Sequence, residues 1–269
     1  MRRRAFLAAG FAAAVIVLAA SSVMAAQPAS SRPRPEVVTG TVTAVTDGDT
    51  IKVRIAGGRD ERVRLIGVDS PELDDPRENV RLMAFLAKRF AYSRLYQADI
   101  ELLPGPETRD AYGRLLAFVR AEDGRIFNVT LVREGYATAY LKFPFDEKLR
   151  RELKAAENEA RQAGRGLWAK EPYPVIAAGE ARKRVGEVLT VRFRCLRSFK
   201  RSGFYLLEAD GAAFDAAVPI EVYRTLPGTL DLAGRVLEVT GLVELYKARP
   251  QIMVGLPIQL KRPNGKELP

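Results

Sequence analysis

Apolar and polar residues alternate over 38–45, again over 51–55 and again over 63–68, the period of a strand with one buried face. The Gly57-Gly58 pair between the second and third runs suits a tight hairpin turn, so the three read as a meander. The period then changes. After Pro76, apolar side chains at Val80, Met83, Ala84, Leu86, Ala87, Phe90, Ala91 and Leu95 recur at spacings of three and four. Arg81, Lys88, Arg89 and Arg94 fall on the other side, and this predicts an amphipathic helix. Strands are expected at 98–103 and 114–122, separated by Pro104-Gly105-Pro106 and by the turn before Gly113. A short helix is expected at 128–134 and a longer one at 145–163, stopped by Gly164. Five short strands with packed helices describe an OB-like five-stranded barrel in the mixed β with α class.

The Glu171-Pro172-Tyr173-Pro174 stretch breaks this pattern and places a linker at 171–184, which bounds a first folded unit of 37–170. Beyond it, 186–198, 204–209, 212–218, 235–243 and 250–260 alternate like strands, and a helix is expected at 220–225. That is the strand count and helix position of a second small OB-like β-barrel, over 185–269. No sequence repeat relates the two halves, so their likeness is architectural.

Ahead of both units, Arg2-Arg3-Arg4, an apolar run from Ala5 to Ala20 and the small residues around Ala25 and Ala26 read as a signal peptide over 1–26. The apolar run is shorter than the roughly 20 residues of a spanning helix, so no stable membrane insertion is expected after cleavage, a retained anchor being the alternative. The arginines before Ala5-Phe6-Leu7 also fit a twin-arginine signal apart from Arg2, which leaves the export route open. Residues 27–36 are a flexible Pro- and Ser-rich leader. The expected location is the periplasm or the medium.

Losing the signal lowers the formal charge from +10 by three arginines and leaves a basic protein. Polyanions of several kinds attract such a protein, and charge alone does not choose among nucleic acid, acidic glycan and anionic membrane. The single Cys195 permits no internal disulfide and builds no zinc site; its alternating position assigns it to a core. The chain has no histidine, which excludes histidine general bases, zinc ligands and nucleophiles. Hydrolytic chemistry here has to run on carboxylates, arginines, tyrosines and a hard metal ion.

Asp49, in the tetrad Asp47-Gly48-Asp49-Thr50, and Asp69 and Glu72 beyond the next strand are hard oxygen ligands with no soft set in competition, so calcium or magnesium is the expected ion. A lone acid at a strand end is an ordinary turn former. Three acids joined by Arg64 within a strand and by Arg114 after Asp110-Ala111-Tyr112-Gly113 point further. Two arginines can grip a phosphodiester with paired hydrogen bonds and stabilise charge as phosphorus becomes five-coordinate.

Five blocks carry a resemblance. Asp47-Gly48-Asp49-Thr50, Arg64-Leu65-Ile66-Gly67-Val68-Asp69-Ser70-Pro71-Glu72, Asp110-Ala111-Tyr112-Gly113-Arg114, Leu131-Val132-Arg133-Glu134-Gly135 and Leu167-Trp168 are, in order and spacing, similar to the staphylococcal nuclease (thermonuclease) family. The resemblance implies calcium (Ca2+) held by Asp49, Asp69 and the main-chain carbonyl of Ser70, where family members usually carry threonine. It implies that Glu72 positions and deprotonates the attacking water, that Arg64 and Arg114 clamp the phosphate, and that Tyr112 lies near it. Tyr140 is the candidate for stacking on a base. The implied activity is hydrolysis of DNA, single-stranded or frayed, and of RNA, leaving 3′-phosphates. Ala111 stands where a lysine is familiar, and 73–78 is shorter than the family's mobile loop, so substrate preference stays open.

In the second unit, Arg192-Phe193-Arg194, Arg197, Phe199-Lys200-Arg201, Phe204-Tyr205 and Tyr246-Lys247-Ala248-Arg249-Pro250 interleave bases with aromatics. A nucleic-acid-binding face and a barrel core with a solvated rim both satisfy that pattern. For the whole chain the rival to an enzyme is a noncatalytic nucleic-acid-binding protein using the nuclease fold as a scaffold; an adhesin for acidic polymers is a third reading.

Overall fold

The computed structural model describes residues 36–169, 173–226, 232–263 and 268. The signal peptide and nearly all of the leader read above lie outside them. Among the described residues no helix is long and apolar enough to cross a membrane.

The first unit runs β1 (Val38–Val45), β2 (Thr50–Ile55), β3 (Asp60–Leu65), β4 (Val68–Asp69), α1 (Glu78–Leu95), β5 (Asp99–Arg109), β6 (Leu115–Arg120), α2 (Phe127–Arg133), β7 (Thr138–Ala139) and α3 (Glu147–Ala163). Five of the strands close into a barrel in the order β1-β2-β3-β6-β5. The β3–β6 pair is parallel and the other pairs are antiparallel. Alternation sends Val42, Ile51, Val53, Val63, Leu65 and Leu102 inward, where all are fully buried. Helix α1 lays Leu86, Phe90 and Leu95 on this core. Asp146 caps α3 by accepting from the Lys148 and Leu149 N–H groups, so the helix starts two residues later than its apolar period suggested. Phe145, read as helical, is instead buried edge-on against Phe118.

Two local departures shape the barrel. Pro104-Gly105-Pro106 does not end a strand; β5 runs through it, and its pairing with β6 is irregular between Pro104 and Arg109. A bulge tolerates prolines because it needs no ladder N–H there. The strand expected to run unbroken to Val68 stops at Leu65, since Gly67 takes a φ of +75°. The chain turns there, and β4 pairs with β7 instead. Asn128, wholly buried, pins that turn: its side chain donates to the Ile66 carbonyl and accepts from the Val119 N–H.

The second unit begins inside the stretch read as a linker. There β8 (Val175–Ala177) pairs in parallel with β9 (Val188–Arg201), and a 3-10 turn over Ala178–Arg184 buries Ala181. Then come β10 (Phe204–Ala209), β11 (Asp215–Pro219), α4 (Ile220–Tyr223), β12 (Val236–Tyr246), β13 (Arg249–Met253) and β14 (Leu260–Lys261). A ring β9-β10-β11-β13-β12 closes through the β12–β9 pairing, around Leu189, Leu207, Phe214, Leu237 and Cys195. Both barrels share one connectivity: the third strand runs parallel to the fifth, and a helix lies between the third and fourth. They meet along α1, where Leu242 of β12 joins the first core and Arg89 bridges Glu244 at 2.5 Å.

The ends of α2 and α3 meet backbone to backbone. The Leu167 N–H donates to the Gly135 carbonyl at 2.8 Å, and a Cβ on Gly135 would lie 2.2 Å from the Arg165 carbonyl oxygen. Gly164 also has a positive φ, yet the nearest atom to its missing Cβ is 3.7 Å away. Gly164→Ala is therefore expected to cost about 1 kcal/mol, the left-handed penalty alone. Gly135→Ala should cost well over that in urea unfolding, because backbone rather than a movable side chain fills the space. Equal losses would show that the close approach relaxes freely.

Candidate functional site

Arg64, near the end of β3, is the centre of the site. Its Nη1 donates to the Leu65 and Val68 carbonyls, both at 2.9 Å, which lashes it to the turn at Gly67. Its Nη2 lies 3.0 Å from Asp49 Oδ2 and 3.2 Å from Asp69 Oδ1. Asp49, just before β2, is buried and also accepts from the Ser70 N–H at 2.9 Å and from the Thr50 hydroxyl. Asp69 is carried by β4 and its side chain is half exposed. The turn that ends β3 is thus what swings Asp69 back beside Asp49.

Glu72 follows in the turn before α1. Its carboxylate is exposed and makes no hydrogen bond or ion pair among the described residues. Desolvation, then the charges of Asp49, Asp74 and Asp69, push its pKa above the usual carboxylate range, against the pull of Arg64. Asp69 is pushed up too, chiefly by desolvation and secondarily by Asp49, while Arg64 opposes. Asp47 rises to about 6, first through burial and then through Asp49. Several acids therefore crowd one cation, an environment that a further positive charge would relieve.

The donors fit a hard ion. Arg64 Nη2 is a positive charge at the point on which Asp49 and Asp69 converge, and Ser70 is buried beside them. Among the described residues no three acidic or cysteine side chains are gathered at metal-holding geometry. Two carboxylates converging on one positive charge are an open pair of hard oxygen donors, the kind that suits calcium or magnesium.

Arg114 stands just before β6 and is held from the side. Asp110 accepts from Arg114 Nε at 2.7 Å, from the Arg114 N–H at 2.9 Å and from the Tyr112 N–H at 3.0 Å. Burial pushes the Asp110 pKa up, but the hydrogen bonds from Arg114 and Tyr112 bring it below its ordinary value, so the charge persists. The grip on Nε leaves the outer guanidinium nitrogens of Arg114 for a ligand. Tyr112 is 81% exposed, with the Arg114 guanidinium 5.4 Å from its ring centre.

Arg64, Arg114, Tyr112 and Tyr140 line one cleft of about 450 Å³. Its apolar wall includes Phe143, half exposed and 5.9 Å from the Tyr140 ring. The Tyr140 N–H donates to the Gly67 carbonyl, so the same turn sets both the acids and this aromatic. The structure thus places Arg64 among Asp49, Asp69 and the Ser70 N–H, and Arg64, Arg114, Tyr112 and Tyr140 around the cleft; Glu72 adjoins the acids without touching any of them. Sequence reasoning did not single out Asp110, Asn128 or Phe143. For Asp110 the signal was present, since an acid four residues before an arginine across a Gly turn can hold both turn and guanidinium; for Asn128 there was none.

The model of the family described as staphylococcal nuclease homologue matches residues 62–170. The thermonuclease of Staphylococcus intermedius is 39% identical over 127 residues, 47% of this chain and 74% of that protein. Endonuclease YncB of Bacillus subtilis (strain 168) is 31% identical over 144 residues, covering 53% of this chain and 67% of its own length. An uncharacterized endonuclease of Escherichia coli O157:H7 is 36% identical over 138 residues, 50% of this chain and 80% of its own.

Asp110→Asn keeps an acceptor for the turn N–H groups but removes the charge beside Arg114. Cleavage of a single-stranded oligonucleotide is expected to slow about tenfold with the melting temperature nearly unchanged, the loss of one charge-assisted hydrogen bond. A rate equal to that of the parent protein would show that Arg114 needs no such support.

Proposed function

Because the chain belongs to the staphylococcal nuclease family, we propose that it is an exported, calcium-dependent nuclease that hydrolyses phosphodiester bonds of DNA and RNA and leaves 3′-phosphate ends. The observation that carries this reading is Glu72: a carboxylate without a partner, its pKa raised, beside two acids that converge on one positive charge.

Asp49 and Asp69, with the Ser70 carbonyl, would hold the ion. When bound, calcium supplies charge neutralisation at the phosphate and a lower pKa for nearby water. Glu72 orients that water and accepts its proton, a role suited to a raised pKa. Arg114 donates from its outer nitrogens to the phosphoryl oxygens as charge develops, with Asp110 fixing its plane. Arg64 contributes the second half of the clamp when it exchanges a carboxylate for phosphate. Water oxygen bonds to phosphorus, the bond to the 5′-oxygen breaks, that oxygen takes up a proton from solvent to leave as a hydroxyl, and the phosphate stays on the 3′ side. Tyr112 flanks the phosphate, and Tyr140 with Phe143 offers a stacking wall to a base. Stacking on such a wall is indifferent to base and sugar, which suits action on DNA and RNA alike. The signal-like N-terminus supports release into the periplasm or the medium.

The test is to incubate the mature protein with denatured DNA in calcium or in chelator. Cleavage with calcium only is expected, with Glu72→Ala slower by about 10²–10⁴-fold. Arg114→Ala should lose about 10²–10³-fold in turnover, and both variants should keep most of their binding. Binding without cleavage by the parent protein in calcium would instead establish a noncatalytic nucleic-acid-binding scaffold.

A further inference from the structure

The outer face of the second barrel forms a cleft of about 480 Å³ that no part of the catalytic machinery uses. Its floor is built from β10, β11 and β13, where Leu206 pairs with Ala217 and Ala217 with Met253, an apolar strip. One wall is α1, which presents Arg89 and Tyr92. Two tight hairpin tips close the ends. The β9–β10 turn brings Arg201 beside Phe204, through Ser202 at a φ of +47°. The β12–β13 turn brings Tyr246 and Lys247, with Lys247 also at +47°.

The chemistry sorts the basic and aromatic residues of this unit. Phe193 is core, Arg192 is paired with Glu238 and Arg197 with Glu208, so that part of the pattern is core and rim. Arg249 inside the cleft is engaged by Glu208 and Asp215, and Arg89 by Glu244. Arg201 and Lys247 pair with no acid among the described residues, which leaves the cleft cationic. Tyr246 is 57% exposed, so its ring is open to a planar ligand, whereas the Tyr92 ring is already engaged by Tyr96 at 4.4 Å and by the Arg89 guanidinium at 5.0 Å. An apolar floor, an exposed ring and cations without an ion pair at both tips match a chain of planar groups joined by anions. In five-stranded barrels of this connectivity, the face of the second and third strands and the two corresponding loops are where such chains lie.

We propose that this cleft binds single-stranded nucleic acid, as a site separate from the catalytic cleft that retains long substrates. Only its link to substrate retention rests on the nuclease reading; binding itself does not. The test is anisotropy of a labelled single strand of about 16 nucleotides, the upper site size of one such barrel, in excess chelator. The protein is compared with the triple variant Arg201→Gln, Tyr246→Ala, Lys247→Asn, all at exposed hairpin tips. Affinity is expected to fall about tenfold or more, and the salt dependence to flatten by about 1.4 through two lost phosphate contacts. Cleavage of a dinucleotide in calcium should keep its kcat and KM. Unchanged affinity for the long strand would overturn the site; so would an equal loss for duplex DNA, which would mean charge without stacking. A parallel loss on the dinucleotide would place these residues in the catalytic cleft and overturn it too. Should the parent protein bind the strand in chelator but cleave neither substrate in calcium, the nuclease reading fails while this site stands.

Discussion

The arrangement of the site depends on one guanidinium. Arg64 uses Nη1 on the two carbonyls of the turn at Gly67 and Nη2 on Asp49 and Asp69. Without a positive charge there, a buried Asp49 beside Asp69 would be a repulsive pair in a poorly solvated place. Arg64 therefore lets the protein fold with its acids already gathered. The turn that it clasps, held in addition by Asn128, also delivers Tyr140 to the cleft.

Much of this was legible along the chain. The period-two runs placed the strands of both barrels, and the acids and arginines of the site stood in recognisable blocks. What stayed hidden was non-local or was decided by a single backbone angle. Gly67 turns the chain out of the β3 line, and its effect depends on β7, about seventy residues away, offering a partner to β4. Pro104 and Pro106 look like terminators but sit in a bulge, where no ladder N–H is missed. Asn128 looks like a helix residue of no consequence until its burial and its two backbone partners are seen. In the second unit, alternation alone could not say which of Arg192, Arg197 and Arg201 lacks an acid, because Glu238 and Glu208 come from other strands.

The two barrels repeat a connectivity and divide its surfaces differently. In the first, the turn after the third strand and the start of the fifth carry the ionised groups. In the second, the face of the second and third strands is left open, and the hairpin tips carry the charge. Helix α1 serves both, with Phe90 and Leu95 in one core and Arg89 toward the other barrel. A helix shared in this way makes the relative placement of the barrels a matter of packing and not of a tether.

On the proposed reading, Arg64 occupies the place of positive charge that the ion would take, so the ion and the guanidinium would compete for Asp49 and Asp69. Calorimetric titration of calcium into Arg64→Gln, which keeps amide donors for the turn but removes the charge, tests this directly. Without substrate, the variant is expected to bind calcium more tightly than the parent protein, because two carboxylates are no longer neutralised. Weaker calcium binding by a folded Arg64→Gln would contradict it.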